Sequence, residues 1–188
     1  MRRITFAIAM MLMFQSASVS HAQQYTLDPA HSGVTFQISH LGLSWIHGRF
    51  NTISGDFSIN KEAPELSTFA LTIDANSIDT NNQQRDDHLK SPDFFNVKQF
   101  PEITFQSTTV EAIKDGYKVT GDLTIHGETK PVTFDLLGGR TAEFPPGTPR
   151  TGFSTSVKIK RTDFRVGQPV PAIGEEVHTT ISFECTQK

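Results

Sequence analysis

Histidine, aspartate and arginine side chains cluster in one short segment of this chain. The segment Arg85–Lys90 reads RDDHLK, so an imidazole lies beside two carboxylates and a guanidinium. Six of the seven histidines follow residue 22, namely His31, His40, His47, His88, His126 and His178. Imidazole and carboxylate groups act as general acids and bases and bind metal ions. The first question is therefore whether the chain is an enzyme or a metal protein.

The spacing of these residues argues against both. No pair of histidines has the i, i+4 spacing of the HExxH zinc motif, and Cys185, the single cysteine, excludes a CxxC pair. His31 and Ser32 are adjacent, but neighbouring residues of a strand point to opposite faces, and the chain has no GxSxG elbow. Adjacent carboxylates such as those of Asp86 and Asp87 are common in solvent-facing turns. We predict no catalytic residue, no metal site and no required cofactor.

The first 22 residues have the pattern of a cleavable signal peptide. They contain two arginines, an apolar run over residues 4–14, and Ser20 and Ala22 at the positions of a small-residue cleavage site. That run is too short to span a membrane. Without Arg2 and Arg3 the net charge changes from -3 to -5, which argues against a nucleic-acid partner. We expect export to the periplasm and one mature domain over residues 23–188.

Apolar and polar residues alternate with period two through the rest of the chain, which predicts eight short strands. The predicted apolar faces lie within residues 34–38, 53–59, 69–75, 103–107, 117–125, 132–136, 153–159 and 177–183. Asp115-Gly116 and His126-Gly127 indicate tight reversals. Eight antiparallel strands suit either a closed barrel or a two-sheet sandwich. Small residues on the inward faces, such as Gly55 and Gly121, favour an all-β barrel with interior space.

A short helical segment is predicted near residues 82–96. Asp86 and Lys90 have the spacing of a helical ion pair, and Ser91-Pro92-Asp93 is typical of the start of a second helical turn. Phe94 and Phe95 would then cover one end of the barrel. Arg85 could contact a ligand there or, paired with Asp86, only anchor the helix.

Several sequence blocks resemble the YceI family of secreted, lipocalin-like proteins. They are HSGVTFQISHLGL, QQRDDHLKSPDFFNVKQFPEITF, VTGDLTIHGETKPV and IKRTDF. The resemblance spans the chain after residue 22 and implies an extended eight-stranded antiparallel barrel. It also implies an elongated apolar cavity that binds an isoprenoid, such as a quinone or polyprenol, or a similar long-chain amphiphile. Arg165 stands where this pattern leads us to expect glycine or another small residue, so the conformation of the following loop is open.

We therefore expect an exported lipid-binding carrier rather than an enzyme. The predicted mouth residues are His40, Arg85 and His88. The predicted cavity residues are Phe36, Ile38, Gly55, Phe57, Leu71, Ile73, Phe94, Phe95, Phe105, Gly121, Leu123, Phe134 and Phe153. Two alternatives remain open: a metal- or His-dependent hydrolase acting on a lipid, and a solid barrel whose surface engages another envelope protein. The sequence also leaves open whether the protein forms a homodimer.

Overall fold

The computed structural model describes residues 22–188. The predicted signal peptide lies outside these residues except for Ala22, so it stays a prediction. The strands are β1 Gln23–His40, β2 Ser44–Phe50, β3 Ile53–Ile59, β4 Thr68–Asp74, β5 Ile78–Asp79, β6 Glu102–Ile113, β7 Gly116–Ile125, β8 Glu128–Glu143, β9 Pro149–Lys160 and β10 Ile173–Gln187. The α-helix of the described region, α1, spans Gln83–Lys90, and no helix there is long and apolar enough to cross a membrane.

Eight of these strands close into an antiparallel barrel. Their order is β1-β3-β4-β6-β7-β8-β9-β10, and β10 pairs back onto β1. Each strand predicted from the sequence falls on one barrel strand, so the predicted all-β barrel is confirmed. The period-two pattern did not lead us to predict β2 and β5. The lower part of β1 pairs with β3 through Gln23–Thr26, whereas its upper part, Val34–His40, pairs with β2.

The predicted reversal at His126-Gly127 is a two-residue hairpin turn. Both residues have positive φ, 52° and 77°, and the flanking pair is Ile125 with Glu128. Positive φ at both central positions is characteristic of a type I′ turn, whose twist matches that of the strands. The turn places β7 beside β8 in the order that the sequence predicts.

The helical segment agrees with the prediction only in its first part. Asn82 caps α1, because its side-chain oxygen accepts a hydrogen bond from the Arg85 backbone N–H at 3.0 Å. The chain does not continue as a helix after Ser91. The backbone N–H groups of Phe94 and Asn96 both donate to the Ser91 carbonyl, and Asn96 has a φ of 46°. The predicted second helical turn is therefore a set of hydrogen-bonded turns, which still packs Phe94 against the core.

Aromatic rings fill the lower end of the barrel. Phe57 and Phe183 stack with ring centroids 4.9 Å apart, and Phe153 contacts both Phe69 and Tyr117. Aromatic pairs at such distances contribute about 0.5–1.5 kcal/mol beyond the burial of their area. We call these five rings the aromatic floor. All five are buried, so they make this end of the interior solid.

Candidate functional site

A cavity of about 80 Å³ lies above the aromatic floor, enclosed by residues of seven barrel strands. Six of the predicted cavity residues line it: Phe57, Leu71, Ile73, Phe105, Leu123 and Phe134. Threonine provides the polar side chains of the lining, and the others are apolar. An apolar cavity of about 150 Å³ holds one benzene molecule. The cavity therefore needs to enlarge before it can hold a long chain.

The other predicted cavity residues lie elsewhere in the barrel. Phe153 belongs to the aromatic floor, and Phe36 and Ile38 are on the upper part of β1, which pairs with β2. Phe94 and Phe95 pack against the core from the turns after α1. These turns therefore close one end of the barrel, as the sequence suggested, and ligand contact by any of these side chains stays a prediction.

Phenylalanine rings occupy the space that the inward glycines leave. A Cβ atom added to Gly121 would lie 2.5 Å from Cζ of Phe105, and one added to Gly55 would lie 2.7 Å from Cζ of Phe57. Real Cβ atoms do not approach other atoms so closely. We expected these glycines to leave open space, but each makes room for a ring. Because the rings line the cavity, their positions set its volume.

Two neighbouring strands of the barrel wall, β8 and β9, are hydrogen-bonded to each other along only part of their length. The β8–β9 ladder runs from Leu137–Ser154 to Glu143–Pro149. In the described part of the chain, the first half of β8 pairs only with β7 and the second half of β9 only with β10. We call the gap between these halves the seam. Cavity residues flank it on both sides, with Val132 on β8 and Val157 on β9.

A buried arginine holds the loop that follows the seam. Arg161 is 4% exposed, and its guanidinium donates to the carbonyls of Val166, Gln168 and Gly174 at 2.9–3.0 Å. Burial lowers the pKa of Arg161, and the nearby charge of Glu175 opposes that shift. We call residues 161–172 the lid. Its shape depends on one side chain that satisfies several backbone oxygens at once.

The residue expected to be glycine, Arg165, has a left-handed backbone with a φ of 55°. Glycine is the residue that adopts this conformation without steric cost, so the expectation reflected a real backbone requirement. The side chain of Arg165 extends to Glu128 at the start of β8, with Nη1 and Oε1 3.1 Å apart. This ion pair links the lid to the far side of the seam.

Two of the three predicted mouth residues belong to α1. The Arg85 guanidinium donates to the hydroxyl and the carbonyl oxygen of Thr80, both at 2.7 Å. Asp86 is buried and accepts from the backbone N–H of Thr80 at 2.9 Å, so both residues brace the helix through Thr80. Neither the expected Arg85–Asp86 ion pair nor the expected Asp86–Lys90 pair is among the ion pairs of residues 22–188. His88 is exposed and donates from Nε2 to Asp93 at 3.3 Å.

His40 lies at the opposite end of β2 from Asp79, the residue that closes β5 before α1. His40 pairs with Ser44 at one end of β2, whereas Asp79, which precedes α1, pairs with Arg49 near the other end. Five residues of strand at about 3.3 Å each separate these levels by about 16 Å. His40 therefore lies at the tip of the β1–β2 hairpin, and contact of His40, Arg85 or His88 with a ligand stays a prediction.

Another pocket, of about 580 Å³, is a wide groove on the upper barrel. Phe36 lines it together with polar residues of β1, β2 and β10 and the β5–α1 link, including His47, Arg49 and His178. Its polar character sets it apart from the interior cavity. Phe36 lines this groove and also packs against the core, with its ring centroid 5.6 Å from that of Phe50.

One cluster brings potential metal ligands together within residues 22–188, but an arginine already occupies its centre. Asp28, His31 and Glu184 place one ligand atom each within 4.8 Å of one another. The Arg150 guanidinium lies 2.6 Å from Asp28 and 3.3 Å from Glu184. The hydrogen bond from His31, and then that from Arg150, lowers the pKa of Asp28 to about 2. The cluster is a network of ion pairs around a protein cation.

Two potential nucleophiles, Ser32 and Cys185, are engaged in structural contacts. The Ser32 hydroxyl donates to the Asp28 carbonyl at 2.7 Å instead of contacting His31. Cys185 is fully buried, and burial raises the pKa of its thiol to about 12. Neither group is poised for attack on a substrate.

Comparison with known proteins agrees with this fold. A sequence model of the YceI-like domain matches residues 25–185. Protein YceI of Salmonella arizonae is 37% identical over 183 residues, which cover 97% of this chain and 96% of the relative. The crystal structure of the Campylobacter jejuni YCEI protein is 33% identical, with a TM-score of 0.72 and coverage of 80% of this chain and 90% of that one.

Two more distant solved structures share the fold. Burkholderia cenocepacia BcnA has a TM-score of 0.76 at 24% identity and covers 84% of this chain and 98% of its own. A polyisoprenoid binding domain from Saccharophagus degradans has a TM-score of 0.65 at 20% identity and covers 87% of this chain and 98% of its own. The closed barrel, the matching domain model and the full-length identity to YceI proteins agree: the chain belongs to the YceI-like family.

Proposed function

We propose that this protein binds an isoprenoid, such as a polyprenol or quinone, or a similar long-chain amphiphile, inside its barrel. The cavity carries this proposal, because its lining is apolar and it lies beside a seam in the barrel wall. Pockets of this kind bind ligands mainly through hydrophobic contact and use few polar groups. The Saccharophagus degradans domain, which shares the fold, supports an isoprenoid as the ligand class.

Hydrophobic burial supplies the driving force. Each methylene removed from water contributes about 0.8 kcal/mol, so a chain of ten buried carbons gains about 8 kcal/mol before the cost of enlarging the cavity. That gain does not depend on a headgroup. The protein would accept several chains of similar length and flexibility.

Loading requires ring movement. Phe105 and Phe57 both line the cavity, and each ring packs against a glycine. On that side, the ring therefore contacts the glycine backbone and not a large side chain. A change in the side-chain torsions of these rings would open room along the barrel axis. We propose that the chain enters through the seam, which the lid and the Glu128–Arg165 ion pair cover at its upper end.

We further propose that the protein acts as a periplasmic carrier after removal of residues 1–22. The N-terminal pattern of the sequence supports this location, and the binding function does not depend on it. Detection of the mature chain in the periplasmic fraction of cells expressing the full-length protein would agree with it, whereas retention in the cytoplasm would contradict it.

A cavity-filling substitution tests the binding proposal. Val132→Phe adds a ring to the cavity lining, and Thr133→Phe adds the same ring at the neighbouring position, whose side chain points to solvent. We expect Val132→Phe to reduce uptake of farnesol by at least tenfold and Thr133→Phe to leave it unchanged, with both barrels folded by circular dichroism. Equal uptake by the two variants would show that the chain binds elsewhere, or that the barrel is solid.

A further inference from the structure

Among residues 22–188, one side chain of the cavity lining has a buried polar atom without a hydrogen bond. Thr155 on β9 is 6% exposed and lines the cavity. Its Oγ1 atom is fully buried and has no hydrogen-bond partner within residues 22–188. Thr155 follows Ser154, the last β9 residue paired with β8, so its hydroxyl lies where the seam begins.

An unpartnered hydroxyl at this position needs an explanation, because a buried polar group without a hydrogen bond destabilises the fold. Valine has nearly the same shape and would avoid this cost. A water molecule is a poor partner here, since buried waters typically make about three hydrogen bonds and the rest of the lining is largely apolar. A polar atom carried in by an apolar ligand would satisfy the hydroxyl.

We propose that Thr155 forms a hydrogen bond with the polar end of the ligand, which therefore enters the barrel instead of staying at the mouth. This inference rests on the proposed function and narrows its substrate class. Residues 22–188 contribute no Lys, Arg or His side chain to the lining, so a charged group beside Thr155 would be buried without a counterion from this part of the chain. The geometry therefore points to a neutral end, such as an alcohol or a quinone carbonyl, and excludes a phosphate or a carboxylate in this position.

The same strand provides a matched control. Thr151 faces the interior four residues before Thr155 and is 3% exposed, but its hydroxyl donates to the Arg140 carbonyl at 3.1 Å. Replacing either threonine with valine removes one buried hydroxyl and keeps the side-chain shape. Only Thr155→Val removes a hydroxyl that is available to a ligand.

The experiment compares two probes, farnesol and the hydrocarbon farnesene, by displacement of the neutral dye N-phenyl-1-naphthylamine. We expect wild-type protein to bind both, and Thr155→Val to lower farnesol affinity about fivefold with farnesene affinity unchanged. Thr151→Val should keep the wild-type ratio of the two affinities. Without ligand, the melting temperature should rise in Thr155→Val and fall in Thr151→Val.

The outcomes separate this inference from the proposed function. If wild type and Thr155→Val have the same farnesol-to-farnesene ratio, the hydroxyl does not contact the ligand and the inference is overturned, while binding in the barrel stands. If wild-type protein binds neither probe, the proposed function fails and the inference fails with it.

Discussion

Removing the Phe105 ring should increase affinity for an isoprenoid while it destabilises the protein. Phe105 lines the cavity, lies over Gly121, and packs on Phe134 with ring centroids 5.2 Å apart. If ligand entry displaces this ring, the wild-type protein loses the ring contact on loading. Phe105→Ala has lost that contact already, so its binding should not carry this cost.

The expected magnitudes follow from these contacts. Replacing a fully buried phenylalanine with alanine costs about 3–5 kcal/mol of folding free energy. Phe105 is only partly buried, so Phe105→Ala should cost less than this. The ring pair contributes about 0.5–1.5 kcal/mol, which corresponds to about a twofold to twelvefold gain in affinity when it need not be broken. Domains of this size unfold with about 5–15 kcal/mol, so a folded population should persist.

Phe153→Ala is the matched control, because Phe153 is 3% exposed and belongs to the aromatic floor below the cavity. Urea denaturation should show a loss of stability in both variants, and a larger one in Phe153→Ala because Phe105 is only partly buried. Titration with farnesol should show tighter binding only in Phe105→Ala. Displacement of the Phe105 ring on loading is contradicted if Phe105→Ala binds farnesol no more tightly than wild type, or if Phe153→Ala gains the same affinity.

Three further predictions concern the lid and the ion-pair network. Arg161→Ala should lower the free energy of unfolding by more than about 2 kcal/mol and make the lid the first site of limited proteolysis, because several carbonyl groups lose their donor; a lid as protease-resistant as that of wild type would contradict this. Arg165→Gly should stabilise the protein by about 1 kcal/mol in urea denaturation, since relief of the left-handed conformation outweighs the loss of an exposed ion pair with Glu128; a clear loss of stability would contradict it. Because the pKa of Asp28 is lowered to about 2 in the folded state, its contribution to stability is complete above about pH 4 and is lost as the pH falls towards 2. Asp28→Asn should show a smaller loss of stability between pH 5 and pH 2.5 than wild type does, and an equal loss would argue against the shift.

The eight barrel strands could be predicted because each buries one face, which leaves a period-two pattern. β2 lacks a strong pattern of this kind: Gly48 lies on its inward face, where the ring of Phe36 takes the space of a side chain. Missing β2 also hid the separation of His40 from α1. The predicted mouth assumed that β1 and the segment before α1 end at one level, whereas β2 places His40 and Asp79 about five residues apart along the strand.

The alternation gives the face of each residue but not its height in the barrel. Phe153 and Phe105 have equivalent patterns in the sequence, yet one lies in the aromatic floor and the other lines the cavity. The partners of individual side chains are also hidden. Thr155 and Thr151 both alternate inward on β9, and only the arrangement of β8 beside them decides which hydroxyl has an acceptor.

Mass spectrometry of the lipid that the protein carries tests most directly whether the barrel holds a lipid. The mature protein should be isolated from the periplasm without detergent, its bound lipid extracted with organic solvent, and the extract identified and quantified against protein. We predict an isoprenoid with a neutral polar end at about one molecule per chain, and much less in Val132→Phe. Folded wild-type protein that carries no lipid, and that takes up no isoprenoid when incubated with it, would contradict the account.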